Sequence, residues 1–139
     1  MVHALREAWR VARPGGQVID LRPRGEPSHV GVVQNGRFTE VDEAEEDLGG
    51  YQAAREAVLE AVDLGLFVQP RVSRFSIKTE FTSLEDLREW LYALDSTVPR
   101  ASYDQLVQRV GEVSEGLEAP SEAAAVVPFG LKILTKGSG

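Results

Sequence analysis

Pro14-Gly15-Gly16 stands between a helical apolar stripe and a β-branched strand, and this junction constrains the fold more than any other part of the sequence. Leu5, Ala8, Trp9 and Ala12 recur at i, i+3, i+4 and i+7, which turns one helical face to a core and leaves Arg6, Glu7 and Arg10 on the other. Proline cannot continue that helix, and glycine accepts the positive φ of a tight turn. Gln17, Val18, Ile19, Asp20 and Leu21 then read as a short apolar strand, closed by Arg22 and Pro23. Helix, turn and strand make half of an α/β unit. A helix in a parallel sheet is a crossover between two strands, so a strand is expected ahead of it. Met1, Val2 and His3 leave no room for one.

The remaining chain alternates strands and helices. Residues 30–33 and 37–41 flank Asn35-Gly36, a hairpin signal because a type I′ turn needs positive φ at both central positions. A two-residue loop pairs Gln34 with Arg37 and Val32 with Thr39, which puts Val30, Val32, Thr39 and Val41 on one face and Val33 and Phe38 on the other. Tyr51, Ala54, Val58, Ala61 and Val62 form the next helical stripe, ended by Gly65. Phe75, Ile77, Thr79 and Phe81 alternate with Ser76, Lys78 and Glu80, the pattern of a half-buried strand. Thr82-x-x-Glu85 reads as a capping box opening a helix with Leu84, Leu87, Leu91 and Leu94 on one side. Pro99 breaks that helix, and Ser102 caps another carrying Leu106, Val110 and Val113. Residues 125–135 read as a last strand, with Pro128 marking an edge or bulge near its start.

The segment Leu5-Arg6-Glu7-Ala8-Trp9-Arg10-Val11-Ala12-Arg13-Pro14-Gly15-Gly16, with the strand after it, resembles the L-R-E-x-x-R-V-L-R-P-G-G segment of class I S-adenosylmethionine-dependent methyltransferases. Ala12 replaces the usual leucine. In that family the segment is the helix before the fifth strand, plus that strand. The hairpin then falls where some members carry substrate-shaping insertions. The closing residues Phe129, Gly130, Leu131, Lys132, Ile133, Leu134, Thr135 and Lys136 resemble the family's final strand, which pairs antiparallel with the one before it. The resemblance covers essentially the whole chain but only half of the family's domain. It implies an α/β fold: a partial Rossmann-like sheet made of a strand, a β-hairpin, a helix and an antiparallel terminal strand pair, with flanking helices. Residues 1–139 would form a single half-domain lacking the N-terminal cofactor-binding half.

That missing half carries the family's chemistry. The cofactor site lies at the C-terminal ends of the first strands, where a glycine-rich loop lets the backbone approach the ligand. Gly15-Gly16 ends a helix, and Gly49-Gly50 follows an acidic loop, so neither is a G-x-G-x-x-G fingerprint. No residue matches the family's cofactor motifs, and S-adenosylmethionine binding is expected only if the other half is supplied. No catalytic residue is assigned. His3 and His29 stand apart with no zinc spacing. Ser28, His29 and Asp20 are not a triad, because adjacency in sequence is not triad geometry. Arg22, Arg24 and His29 follow the fifth strand on the rim where open α/β proteins place ligands, which makes them the substrate-contact candidates, against a solvated loop as the plainer reading. Glu40, Asp42, Glu43, Glu45, Glu46 and Asp47 read as a solvated acidic run beside the next helix, without the Asp-x-Asp-x-Asp-Gly spacing of a calcium loop. Trp9 and Trp90 read as packing residues.

Composition narrows the partners. The 139 residues carry 15 Lys+Arg against 22 Asp+Glu, a net charge of −7, which argues against general nucleic-acid or anionic-membrane binding. There is no cysteine, hence no disulfide frame or thiol nucleophile. No apolar run reaches the roughly 20 residues of a membrane span, and the first residues lack a signal-peptide pattern, so a cytoplasmic location is expected. Without the preceding strand, Val18, Ile19, Asp20 and Leu21 form an apolar edge. Pairing with a second copy, as a homodimer, is one way to cover it. Two alternatives remain: a truncated portion of an active methyltransferase of unknown substrate, or a half-domain complemented by a separate partner that carries the cofactor half.

Overall fold

The computed structural model describes residues 2–137; Met1, on which the expected early start depends, lies outside them. The described residues form four helices and five strands, an α/β arrangement with antiparallel pairing wherever register is defined. The elements are α1 (Val2–Val11), β1 (Gln17–Pro23), β2 (His29–Gln34), β3 (Arg37–Glu43), α2 (Gly49–Asp63), β4 (Phe67–Phe81), α3 (Leu84–Leu94), α4 (Arg100–Glu115) and β5 (Glu122–Lys136). They divide into two compact units. One takes the stretch ending at Gly25, Leu48–Phe75 and the stretch from Pro128; the other takes Glu26–Asp47 and Ser76–Val127. No helix among the described residues is long and apolar enough to cross a membrane.

In the first unit β1 pairs antiparallel with the second part of β5, in a register that sets Ile19 against Ile133 and Leu21 against Leu131. One face of this pair is covered. Val18 and the fully buried Leu134 pack with Leu5 and Trp9 of α1, with Ala57, Val58 and Ala61 of α2, and with Phe67. The Pro-Gly-Gly turn is fastened to β5 by its own backbone: Gly15 N–H donates to the Lys136 carbonyl at 3.0 Å, and Lys136 N–H donates to Gly16 at 2.9 Å. The Lys136 ammonium closes α1, donating to the carbonyls of Trp9 at 2.9 Å and Ala12 at 2.8 Å while lying 4.2 Å from the centre of the Trp9 ring. A cation on the last carbonyls satisfies orphaned acceptors and opposes the helix dipole.

In the second unit the Asn35-Gly36 hairpin forms as expected, with φ of 52° and 75° and with Gln34 opposite Arg37 and Val32 opposite Thr39. A bulge between Val30 and Gly31 shifts the register beyond that point, so Val30 faces Asp42 rather than Val41. Its core joins Val30 and Val32 to Leu87, Leu91, Tyr103, Leu106, Val107 and Val110. The first part of β5 pairs antiparallel with β2, Val30 opposite Ala125. Helix α3 is capped one residue later than the sequence suggests: Ser83 accepts from Asp86 N–H at 3.1 Å, and Thr82 donates instead to the Asp86 carboxylate. Helix α4 starts at Arg100, not behind a Ser102 cap.

Tyr103 shows how tightly this core closes. Its hydroxyl donates to the Glu45 carbonyl at 2.7 Å, and burial, reinforced by the negative charges of Asp95, Glu46 and Glu45, pushes the phenol up to about 12. The fold holds the neutral form. Its contribution is therefore complete below the ordinary tyrosine value of about 10 and is lost as pH rises through about 12. An ultraviolet titration is expected to leave a phenol neutral at about pH 11 and to ionise it together with unfolding. Complete tyrosine ionisation near pH 10 in a folded chain would contradict this.

Candidate functional site

Alternate residues of a strand share a face, and the β1–β5 register sorts the charges accordingly. Asp20 lies opposite Lys132, and Arg22 opposite Gly130, all on the face that also carries Val18 and Leu134. Asp20 is only 9% exposed. Arg22 folds back onto it, donating through Nε to Oδ1 at 2.7 Å and through a second guanidinium nitrogen to the same oxygen. The other carboxylate oxygen, Oδ2, is buried and accepts no hydrogen bond among the described residues.

More cations lie near Lys132. Burial lowers the pKa of the Lys132 ammonium; Asp20 opposes that shift, while Arg22, Arg55 of α2 and Arg74 of β4 add to it. Arg24 lies on the same side: a Cβ added at Gly130 would sit 3.2 Å from the Arg24 Cγ, so the glycine leaves space for that side chain's stem. The Arg24 backbone N–H donates to the Pro128 carbonyl at 3.0 Å. Arg22 and Arg24, named from the sequence as rim residues, thus lie within the first unit in a basic cluster built around one acid. Lys132, Arg55 and Arg74 were not singled out by sequence reading. Lys132 is linked to Asp20 by strand register, and Arg55 and Arg74 come near Lys132 from α2 and β4, none of which shows in local spacing.

His29 lies in the second unit and has different company. Its Nδ1 shares a hydrogen bond with Glu40 at 2.5 Å, and the bulge places Glu43 directly opposite it. One ligand atom from each of His29, Glu40 and Glu43 lies within 4.8 Å of the others. An imidazole with two carboxylates is a nitrogen–oxygen donor set of the kind zinc and similar divalent ions accept. It is also a half-buried histidine hydrogen-bonded to the exposed Glu40, and the geometry needs no metal to explain it. Reading His29 as isolated missed this group. The available signal was Gly31, since a glycine inside a strand marks a bulge that re-aims its neighbours.

The acidic run is more engaged than a solvated loop. Asp42 pairs with Arg109 at 2.6 Å, which, together with the Glu43 N–H, holds its carboxyl below the usual range. Glu46 accepts from Ser28 N–H at 3.3 Å. A shallow cavity of 390 Å³ lies beside the run, with Tyr103, Leu106 and Arg109 in its wall. A larger groove of 770 Å³ runs along α3 and α4, and its polar wall is already paired: Asp104 accepts from Arg88 at 3.1 Å and from the Tyr92 hydroxyl. Trp9 and Trp90 both serve packing, Trp90 against Phe81 with ring centres 5.8 Å apart.

No family model matches this chain, and a search of curated proteins finds no matching relative.

Proposed function

We propose that this chain is a methyltransferase-like half-domain that does not hold S-adenosylmethionine by itself and acts by pairing the free edge of β1 with a second copy. The reading is supported by the helix, Pro-Gly-Gly turn and strand that open the chain, and by a terminal strand that pairs with β4 and runs antiparallel to β1. In the family the final two strands likewise form an antiparallel pair at one end of an otherwise parallel sheet. The reading of S-adenosylmethionine rests on the sequence alone, where neither Gly15-Gly16 nor Gly49-Gly50 has the family's G-x-G-x-x-G pattern.

The observation that carries the proposal is the state of β1. Among the described residues its one paired neighbour is β5, and Ile19 and Leu21 are 66% and 56% exposed. They sit opposite Ile133 and Leu131 on the uncovered side of the pair, where Phe129 stacks on Phe75 at 5.9 Å. Scattered exposed hydrophobics are ordinary, but a contiguous patch beside an open strand edge is the usual mark of an interface. Calorimetric titration of the purified chain with S-adenosylmethionine is expected to give no binding. A micromolar affinity would overturn the proposal.

A further inference from the structure

The basic cluster of the first unit has an unfilled requirement. Asp20 accepts both of its hydrogen bonds from Arg22 through one oxygen, and the other oxygen is buried without a donor among the described residues. A buried carboxylate oxygen keeps its demand for a donor because water no longer meets it. Around it the sign of charge is reversed from that of the whole chain: Arg22 bonds Asp20, Lys132 lies opposite it across the strand pair, and Arg55 and Arg74 come near enough to Lys132 to act on its charge, in a protein of net charge −7. One acid neutralises one of these four cations, so the cluster has an excess of positive charge and one orphaned acceptor. Those two properties together describe a complementary ligand, an anion that also donates.

We propose that Asp20, Arg22 and Lys132, with Arg55 and Arg74 at the margin, bind a phosphate group that retains one proton. The unprotonated phosphate oxygens meet the guanidinium and ammonium donors, for which planar forked arginine geometry is well suited. The remaining P–OH donates to Asp20 Oδ2, supplying the hydrogen bond that this oxygen lacks. Arg22, held by Asp20, is presented in a fixed orientation. Arg55 and Arg74 are exposed, on α2 and β4, and both act on the charge of Lys132. The inference is independent of the dimer reading, because every residue named lies in the first unit, and Asp20, Arg22 and Lys132 are on the covered side of the β1–β5 pair.

The test exploits the ligand's proton. Sulfate has the shape and charge of phosphate but no proton at neutral pH, so it offers nothing to Asp20 and sets an unprotonated oxygen against a carboxylate. Calorimetric titration of the full chain at pH 7 and low ionic strength is expected to show phosphate binding at least about tenfold tighter than sulfate. Asp20→Asn, whose amide can itself donate, is expected to remove or reverse that preference. Because this buried position can affect folding, a second variant keeps the test sharp. Arg55→Gln combined with Arg74→Gln, both on exposed positions, is expected to weaken phosphate severalfold with an unchanged thermal midpoint. A methyl phosphate titration separates the sources: equal affinity assigns a phosphate monoester, and binding of inorganic phosphate alone assigns the free ion. Equal affinity for phosphate and sulfate, or phosphate affinity unaffected by the double variant, overturns the proposal.

Discussion

Gly31→Ala is expected to lower stability by about 3 kcal/mol or more, because an added Cβ meets the partner strand's backbone. A Cβ at Gly31 would lie 2.0 Å from the Thr39 carbonyl oxygen, 2.9 Å from its carbon and 3.0 Å from the Glu40 Cα. These are backbone atoms of the partner strand, and no rotamer change moves them. The bulge between Val30 and Gly31 depends on that close approach. Regular pairing without it would bring Val41 opposite Val30 and Asp42 opposite His29, shifting each side chain of β3 beyond the bulge to the other face. Gly36→Ala provides the comparison. Gly36 has φ of 75° but nothing within 4 Å, so only backbone strain opposes a Cβ there, at roughly 1 kcal/mol. Urea unfolding midpoints measured side by side check the pair. A Gly31→Ala loss no greater than that of Gly36→Ala would contradict the bulge geometry.

The hairpin also shows what the sequence does and does not carry. Asn35-Gly36 fixes the turn because both residues accept the positive φ that a type I′ turn requires, and the pairs Gln34–Arg37 and Val32–Thr39 follow directly. The register beyond Gly31 does not follow, because it depends on a contact between strands that no local spacing encodes. The same contrast holds elsewhere. Leu87, Leu91, Leu106 and Val110 repeat at helical spacing and are buried as that spacing implies, whereas Leu84 and Val113 on the same stripes are exposed. Phe75, Ile77 and Thr79 alternate as cleanly, yet the whole of 71–80 is exposed and only Phe81 is buried. Alternation shows which residues share a face; it does not supply a layer to cover that face. For the candidate site, Arg22 and Arg24 were legible because they close an apolar strand. Lys132, Arg55 and Arg74 were not, because a strand register brings Lys132 to Asp20 and separate elements bring the two arginines near Lys132.

Ile19→Lys is expected to convert the chain to a monomer. In a two-fold antiparallel pairing centred on Ile19, that residue meets its own copy, and Gln17 meets Leu21. Lysine there places two like charges directly opposite each other on a strand edge, an arrangement that destabilises cross-strand pairs and that natural edges use to block association. The side chain is largely exposed, so the fold of the single chain is expected to tolerate the change, with a circular dichroism spectrum and urea midpoint close to those of the parent at dissociating concentration. Thr135→Lys, on the partner strand β5 rather than on the free edge, is expected to leave assembly intact. Equal behaviour of the two variants would argue that the β1 edge is not the contact.

The account rests on the free edge of β1 seeking a second copy, and sedimentation equilibrium of the unaltered 139-residue chain at micromolar concentration tests it most directly. The expected result is twice the chain mass, falling to the single-chain mass for Ile19→Lys. A single-chain mass for the unaltered protein throughout that range would contradict it.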